Sequence, residues 1–519
     1  MNNRLDSWKD IADYLGRDVR TVQRWETERS LPVHRLPGGD KPRVYALKSE
    51  LDAWLSSSPM EAGEAPSIAV LPFVNLTDSR ENEYFSDGLA DEIINALTRI
   101  PGLRVTARTS SFAFRGKEQD VREIGACLSA STLLEGSVRR FGNRVRISAQ
   151  HVSAKDGYHL WSESYDRELS DIFQIQDEIA RSIALALRLR LAPGPLVEPS
   201  THDLEAYKLW LQGRHCALQY TPAAVAKARE CFTAAIARDP QFPMPYLAMA
   251  ELLFGAAEVG LVHPAEAATK AKEAILAVLA LNGSLGEAHA LLGALLGFLE
   301  YDWSAAECAF DRALELTPGS SAVLLQHAWY YLVPKRRIRE AVDEMRRAVL
   351  HDPLSPKLHT WFGLVWLVAR EYEHAAEECR TALKIAPELL PAHWFLGYAL
   401  LMLGKENEGL AESRKMYQLG GLNPLIPGGM CIVYGILGRE EDARLMFAEL
   451  TELSRSAWVP PLAFAWAYLG LRDERVFEWL DKAIDARDPA VTHMPTMPFY
   501  DGIRNDPRFH KLLAKMGLD

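Results

Sequence analysis

The chain has no two cysteines close together in sequence: its six, at 127, 216, 231, 308, 379 and 431, are never nearer than fifteen residues. That spacing excludes a CxxC zinc or redox pair and reads as buried thiols in a reducing compartment. Long apolar runs are missing too. Uncharged stretches such as Trp361 to Ala369 fall far short of the roughly 20 residues a bilayer needs. The start, MNNRLDSWKD, lacks the apolar core of a signal peptide. A cytoplasmic location with no membrane partner is expected. Also absent are GxxxxGK[ST], GxGxxG, HExxH and the kinase HRD and DFG triplets, and the fourteen histidines are scattered. No catalytic, cofactor or metal residues are expected, and no enzyme. Net positive charge is lacking as well: 58 basic against 69 acidic side chains leave −11.

That balance is uneven. Residues 1–57 hold ten basic and nine acidic side chains, a net of +1, so the remainder carries −12. Acidity therefore does not argue against nucleic-acid binding; it confines such contact to the head of the chain. What is present is 519 residues, 48% hydrophobic and 24% charged, a composition of folded domains rather than of a disordered tail. Different grammars follow one another: a mixed head at 1–57, a small, acidic, proline-containing linker at 58–66, alternating strand and helix patterns at 67–192, and almost continuous helical pattern at 200–519.

In the head, Ser7 can cap a helix with Asp10 three residues on, and Ile11, Ala12 and Leu15 give it one apolar face before Gly16. Asp18 can cap a second helix from Val19 to about Glu28, with Val22 and Trp25 inward and Arg17, Arg20, Thr21, Gln23 and Arg24 around its start and outer face. A short helix, a glycine turn and a second helix with a basic polar face are helix-turn-helix grammar. In the major groove Arg pairs bidentately with guanine, Gln with adenine, and Thr meets a phosphate or a thymine methyl. LPVHRLPGGDKPRVYAL then sets a Gly-Gly turn between two extended runs, and a hairpin carrying Arg35, Lys41 and Arg43 would grip flanking phosphates. His34 reads as a hydrogen-bonding surface residue. Arg20 to Glu26, LPVHR, RVYAL and the final ELDAWL together resemble the MerR and excisionase type of winged helix-turn-helix. The resemblance implies double-stranded DNA as a partner of residues 1–57. One small module binds little DNA surface, so specificity calls for a homodimer on half-sites or several sites on one promoter.

In the middle segment SIAVLPFVNL (67–76) is a strand-length apolar run, 86–100 a capped amphipathic helix, 103–108 a strand, 121–128 a helix, and Phe141-Gly142-Asn143 a hairpin signal between two β-rich runs. A further strand at 157–166 and a long closing helix complete a compact α/β sandwich with a mixed sheet. SIAVLPFVNL, YFSDGLADEII, RTSSFAFRGK, LLEGSVRRFGNRVRISAQ and HLWSESYDRELSDIFQIQDEIA resemble the TolB-like amino-terminal domain, which is fused to winged-helix regulators and to bacterial nucleotide cyclases with helical repeats. The cyclases' catalytic domain is not in these residues, so their activity is not implied. Asp87, Asp91 and Glu92 read as carboxylates favoured at a helix N-terminus. Ser110 and Ser111 have no His or Asp at a motif spacing. Arg139, Arg140, Arg144 and Arg146 read as an exposed hairpin.

From residue 200 an A-x4-P frame recurs at Pro240, Pro318, Pro353 and Pro387, the last three 35 and 34 residues apart. Ten residues after anchors 240, 318, 353, 387, 421 and 455 stand Ala250, Ala328, Gly363, Gly397, Cys431 and Ala465, and thirteen after them Leu253, Tyr331, Trp366, Leu400, Tyr434 and Tyr468. Small and large residues at fixed offsets with this period identify the segment as similar to the tetratricopeptide family. Because the first interval is longer, an insertion or a lengthened helix is expected near Gly255 to Pro264. The family resemblance implies an all-α solenoid whose concave groove takes a protein or peptide partner, and PFYDGIRNDPRFHKLLAKMGL resembles a closing segment that covers the last repeat. The reading as a whole is a multidomain, sequence-specific DNA-binding transcriptional regulator: winged helix-turn-helix, α/β sandwich, then repeat solenoid. The alternative is a repeat-built interaction scaffold without specific DNA binding.

Overall fold

In the computed structural model the residues described are 4–5, 7–15, 22, 26, 31–36, 43–48, 50–51, 66–77, 83–98, 100, 102–117, 119–168, 171–187, 201–217, 222–258, 260–421, 423–456 and 458–519. The chain divides into two compact units, 1–66 and 67–519.

In the first unit, β1 (Arg4–Leu5), β2 (His34–Leu36) and β3 (Arg43–Leu47) form an antiparallel sheet in the order β1-β3-β2. The helix Trp8–Leu15 begins where the capping pair predicts: the Asp10 N–H donates to Ser7 Oγ at 3.1 Å, and the Ser7 hydroxyl donates to the Asp10 carboxylate at 2.7 Å. Ile11, Ala12, Val22, Leu31, Ala46 and Leu51 make its small core.

The second unit opens on a six-stranded mixed sheet. β4 (Ser67–Val70), β6 (Arg104–Val105) and β7 (Thr132–Phe141) run parallel, β8 (Arg144–Ser153) and β9 (His159–Glu168) continue antiparallel, and β5 (Val74–Asn75) pairs with β7. Phe141 pairs with Arg144, which leaves a two-residue loop whose Gly142 has φ 59°, the first-position glycine of a II′ turn. Every residue of β4 is buried, because helices cover both sheet faces. Glu83–Thr98 and Ile172–Ala186 pack against Ile68 and Val70, while Val121–Leu128 packs against Ala69 and Leu71. The short helix Arg108–Phe112 was not expected; five residues carry no readable period.

Antiparallel helix pairs of tetratricopeptide type then stack from Leu204 to Asp485. The small positions work as expected. A Cβ on Gly363 would stand 2.6 Å from Cys379 Sγ, and one on Gly397 2.6 Å from Ser413 Oγ, so only a hydrogen lets the paired helices approach this closely. Around Gly255 to Pro264, where an insertion or a lengthened helix is expected, the helix Pro243–Glu258 of 16 residues ends and Pro264–Leu281 of 18 residues begins, so the extra length is carried by the helices on either side. The 35-residue interval ending at Pro353 has its own cause: one π turn, Ala328–Leu332, absorbs the extra residue, and the preceding pair has another at Leu296–Glu300. The array curls until its early and late parts meet. The rings of His263 and Trp458 lie 5.4 Å apart, and a Cβ on Gly260 would stand 3.1 Å from Pro460.

Candidate functional site

Of the residues expected to meet DNA, Arg17, Arg20, Thr21, Gln23, Arg24 and Lys41 lie outside the described residues. Arg35 and Arg43 are strand residues of the hairpin: Arg35 stands opposite Val44, and Arg43 opposite Leu36. The Arg35 guanidinium, 53% exposed, meets the Glu26 carboxylate at 2.6 Å. An exposed pair of this kind contributes about 0–1 kcal/mol, little enough for a phosphate to replace the carboxylate. His34 is a surface residue as expected, stacked on Tyr45 with ring centroids 5.0 Å apart and bonded through Nε2 to Glu50 at 2.6 Å. Arg4 lies over the same Tyr45 ring at 4.1 Å.

The carboxylates read as helix-end charges are not at a helix end. Their helix begins at Glu83, which sets Asp87 and Asp91 one and two turns inside it, and each is consumed by an ion pair. Asp87 takes Arg115, and Asp91 accepts from Arg214 Nη1 at 2.6 Å with Arg108 Nε at 3.6 Å. Burial lowers the pKa of Arg108, Asp91 working against it. The Asp91–Arg214 pair, with Gly88 close against Leu211, fastens the sheet's helix to the first helix of the array, Leu204–Ala217.

A second fastening had no sequence signal. The Ser110 N–H donates to Asp352 Oδ1 at 3.0 Å, its hydroxyl donates to the same carboxylate, and the Leu354 N–H donates back to Ser110 Oγ at 2.8 Å. These partners are more than 240 residues apart, and Leu354 packs beside Ile124 and Leu128. Burial raises the Asp352 pKa, opposed by the bonds from Ser110. Arg144 and Arg146 both reach Asp166 on β9, at 2.7 and 2.6 Å, so that hairpin is an exposed ion-pair lattice.

Within the array, histidines that looked scattered form a repeating clasp. His359 Nδ1 meets Glu378 at 2.6 Å while Nε2 meets the Pro353 carbonyl at 2.8 Å; His393 makes the same contacts with Glu412 at 2.6 Å and Pro387 at 2.9 Å. The signal was available: both histidines stand six residues after an anchor proline, each with a glutamate nineteen further on.

The concave side is lined by first helices of successive pairs and carries a chain of rings. Phe254 packs against Phe298 and Tyr330, Trp329 against Trp361, Trp361 against Phe395, and Trp394 against Trp466, with centroids 4.6–6.3 Å apart across these contacts and Phe298–Tyr330. The Glu258 carboxylate accepts from the Tyr330 hydroxyl at 3.0 Å. Into this side the chain folds its own residues 488–500. The terminal helix Pro507–Lys515 covers the end of the array, and the segment after it reaches back to Trp303, whose Nε1 donates to the Met516 carbonyl at 2.6 Å.

Among the described residues no His, Cys, Asp and Glu stand grouped as for a metal ion, and no helix is long and apolar enough to cross a membrane.

No family model matches the chain. It is 38% identical over 234 residues to "Putative adenylate cyclase 3" of Rhizobium meliloti, covering 44% of this chain and 38% of that protein. It is 25% identical over 365 residues to "Transcriptional regulator HilA" of Salmonella typhi, covering 67% of this chain and 64% of that one. The chain thus spans less than two thirds of the length of either relative. Among solved structures, a tetratricopeptide repeat protein from Parabacteroides merdae is matched at 13% identity with a TM-score of 0.31, over 61% of this chain and 100% of that one.

Proposed function

We propose that the chain is a DNA-binding transcriptional regulator whose helical array receives a protein signal. Residues 1–57 act as a winged helix-turn-helix, 58–66 as linker, 67–192 as a TolB-like α/β domain and 200–519 as the tetratricopeptide solenoid. The observation that carries the reading is the head: a separate unit in which a capped helix and an antiparallel hairpin share one small core, with the arginines of 17–24 between them in sequence. The chain's likeness to a transcriptional regulator over 365 residues points the same way. Arg20, Gln23 and Arg24 read bases, each good bidentate contact supplying about 1–3 kcal/mol of discrimination; Arg17 and Thr21 flank them, and Arg35, Lys41 and Arg43 hold phosphates. Two chains on half-sites supply the specificity that one small module lacks. The test is a selection from random duplexes with the full chain: one motif should be enriched, and an Arg20→Ala, Arg24→Ala variant should enrich none. Equal recovery of all sequences by both proteins overturns the reading.

A second reading, an interaction scaffold without specific DNA contact, is favoured by the aromatic concave side of the array, which needs no DNA to act. Recovery of one stoichiometric partner with or without residues 1–60, together with a failed selection, would establish it. An enzyme would need a nucleotide site at 67–192, where Asp87 and Asp91 are spent on arginines and Ser110 on Asp352.

A further inference from the structure

Residues Asp488–Tyr500, DPAVTHMPTMPFY, differ from every other part of the array: they form two short 3-10 turns, Pro489–His493 and Pro498–Tyr500, and no helix pair. They cross several earlier pairs, whose first helices and the turn after one of them supply contacts. His493 stacks on Trp329 at 3.7 Å and stands edge-on to Phe298 at 4.9 Å. Arg370 Nη1 donates to the Thr496 carbonyl at 2.7 Å. Phe499 lies 5.9 Å from Tyr398 and 6.0 Å from Trp466, and Trp466 Nε1 donates to the Tyr500 hydroxyl at 2.9 Å. First helices of different pairs converge on one short segment only from inside the curve, where a solenoid presents its binding surface. Prolines at 489, 495 and 498 keep the segment from pairing as a helix.

The receiving surface has a feature made for such a segment. In the π turn the Val333 N–H donates to the Ala328 carbonyl at 3.0 Å, and the next residue, Pro334, has no N–H to give. The Trp329 carbonyl is thereby released from the helix ladder, and a buried carbonyl needs a donor. It receives His493 Nε2 at 3.1 Å. An open acceptor beside an indole face is a socket for a planar ring with an N–H. The seat also carries a cost: Asp488 is buried, the Ala490 N–H donates to its carboxylate at 3.2 Å, and burial still pushes its pKa up to about 7.

We propose that residues 488–500 are an internal competitor, seated where a partner polypeptide of the same chemistry binds. That partner offers a proline-punctuated apolar segment, with an imidazole for the Trp329 socket and an aromatic residue for the gap between Tyr398 and Trp466. The array engages it by giving up its own segment. This rests on the reading of the array as a protein-binding module.

The test uses the full chain, a fluorescent peptide of sequence 486–502, and two variants that unseat the segment: His493→Ala, and Thr492→Asp at a position with no exposure. Hydrogen exchange should rise in 489–500 while helices 356–402 stay protected, and the variants should bind the peptide at least about ten-fold more tightly than the wild type. Exchange that rises only in 489–500 with no gain in peptide binding overturns the proposal. So does exchange that rises throughout the array in both variants, which makes the segment a core member, or exchange that rises in neither. Because the probe is the chain's own sequence, these outcomes do not depend on DNA binding, and a failed duplex selection leaves them standing.

Discussion

Among single residues, His359 shows how chemistry follows from geometry. Its two nitrogens face a carboxylate and a carbonyl, which accept, so this geometry favours the imidazolium, the form in which both nitrogens donate. Burial opposes that charge, but the bonds to Glu378 and to the Pro353 carbonyl outweigh it and raise the pKa above the usual 6.5. A raised folded-state pKa contributes stability that is complete below the unfolded value and is lost as pH rises through the folded one. The wild type should therefore exceed His359→Gln in stability by about 1–3 kcal/mol at low pH, with the gap shrinking above about pH 6.5 in urea titrations. A gap constant up to about pH 9 would mean a neutral ring. The period of such histidines was legible in the sequence. Their partners became legible only once the helices were paired.

Elements were legible in proportion to their length and repetition. The helix Val121–Leu128, the Gly142-Asn143 hairpin and the small and large positions of the array all emerge where the sequence places them, because a period or a turn residue marks each. The five-residue helix Arg108–Phe112 has neither, and the Ser110–Asp352 junction joins segments that no local pattern relates. The π turn stood midway: a 35-residue interval and Pro334 were both visible, but their consequence for the Trp329 carbonyl was not. The junction makes its own prediction. Asp352→Ala leaves the Ser110 N–H and hydroxyl unpaired in a buried place, at about 1–3 kcal/mol. Hydrogen exchange should then rise in 108–112 while the helices on either side of residue 352 remain protected. Unchanged exchange at 108–112 would show that the packing of Leu354 alone holds the contact.

At the scale of the whole molecule, one unit is a small head of a capped helix and an antiparallel sheet, and the other a sheet fastened at two places to a curled array that holds its own terminal segment. The charge balance fits a division of labour. A body carrying −12 beyond residue 57 would be repelled by phosphates, so on the proposed reading DNA contact falls to the head. The central claim is that residues 1–57 read DNA, and the most direct measurement is the affinity of the full chain for its selected duplex as a function of salt. The account predicts that log K falls linearly with log salt, that Lys41→Ala reduces the slope by about 1, and that Arg20→Ala lowers affinity for the selected site by about 1–3 kcal/mol. Affinity that is independent of salt and identical in all three proteins would contradict it.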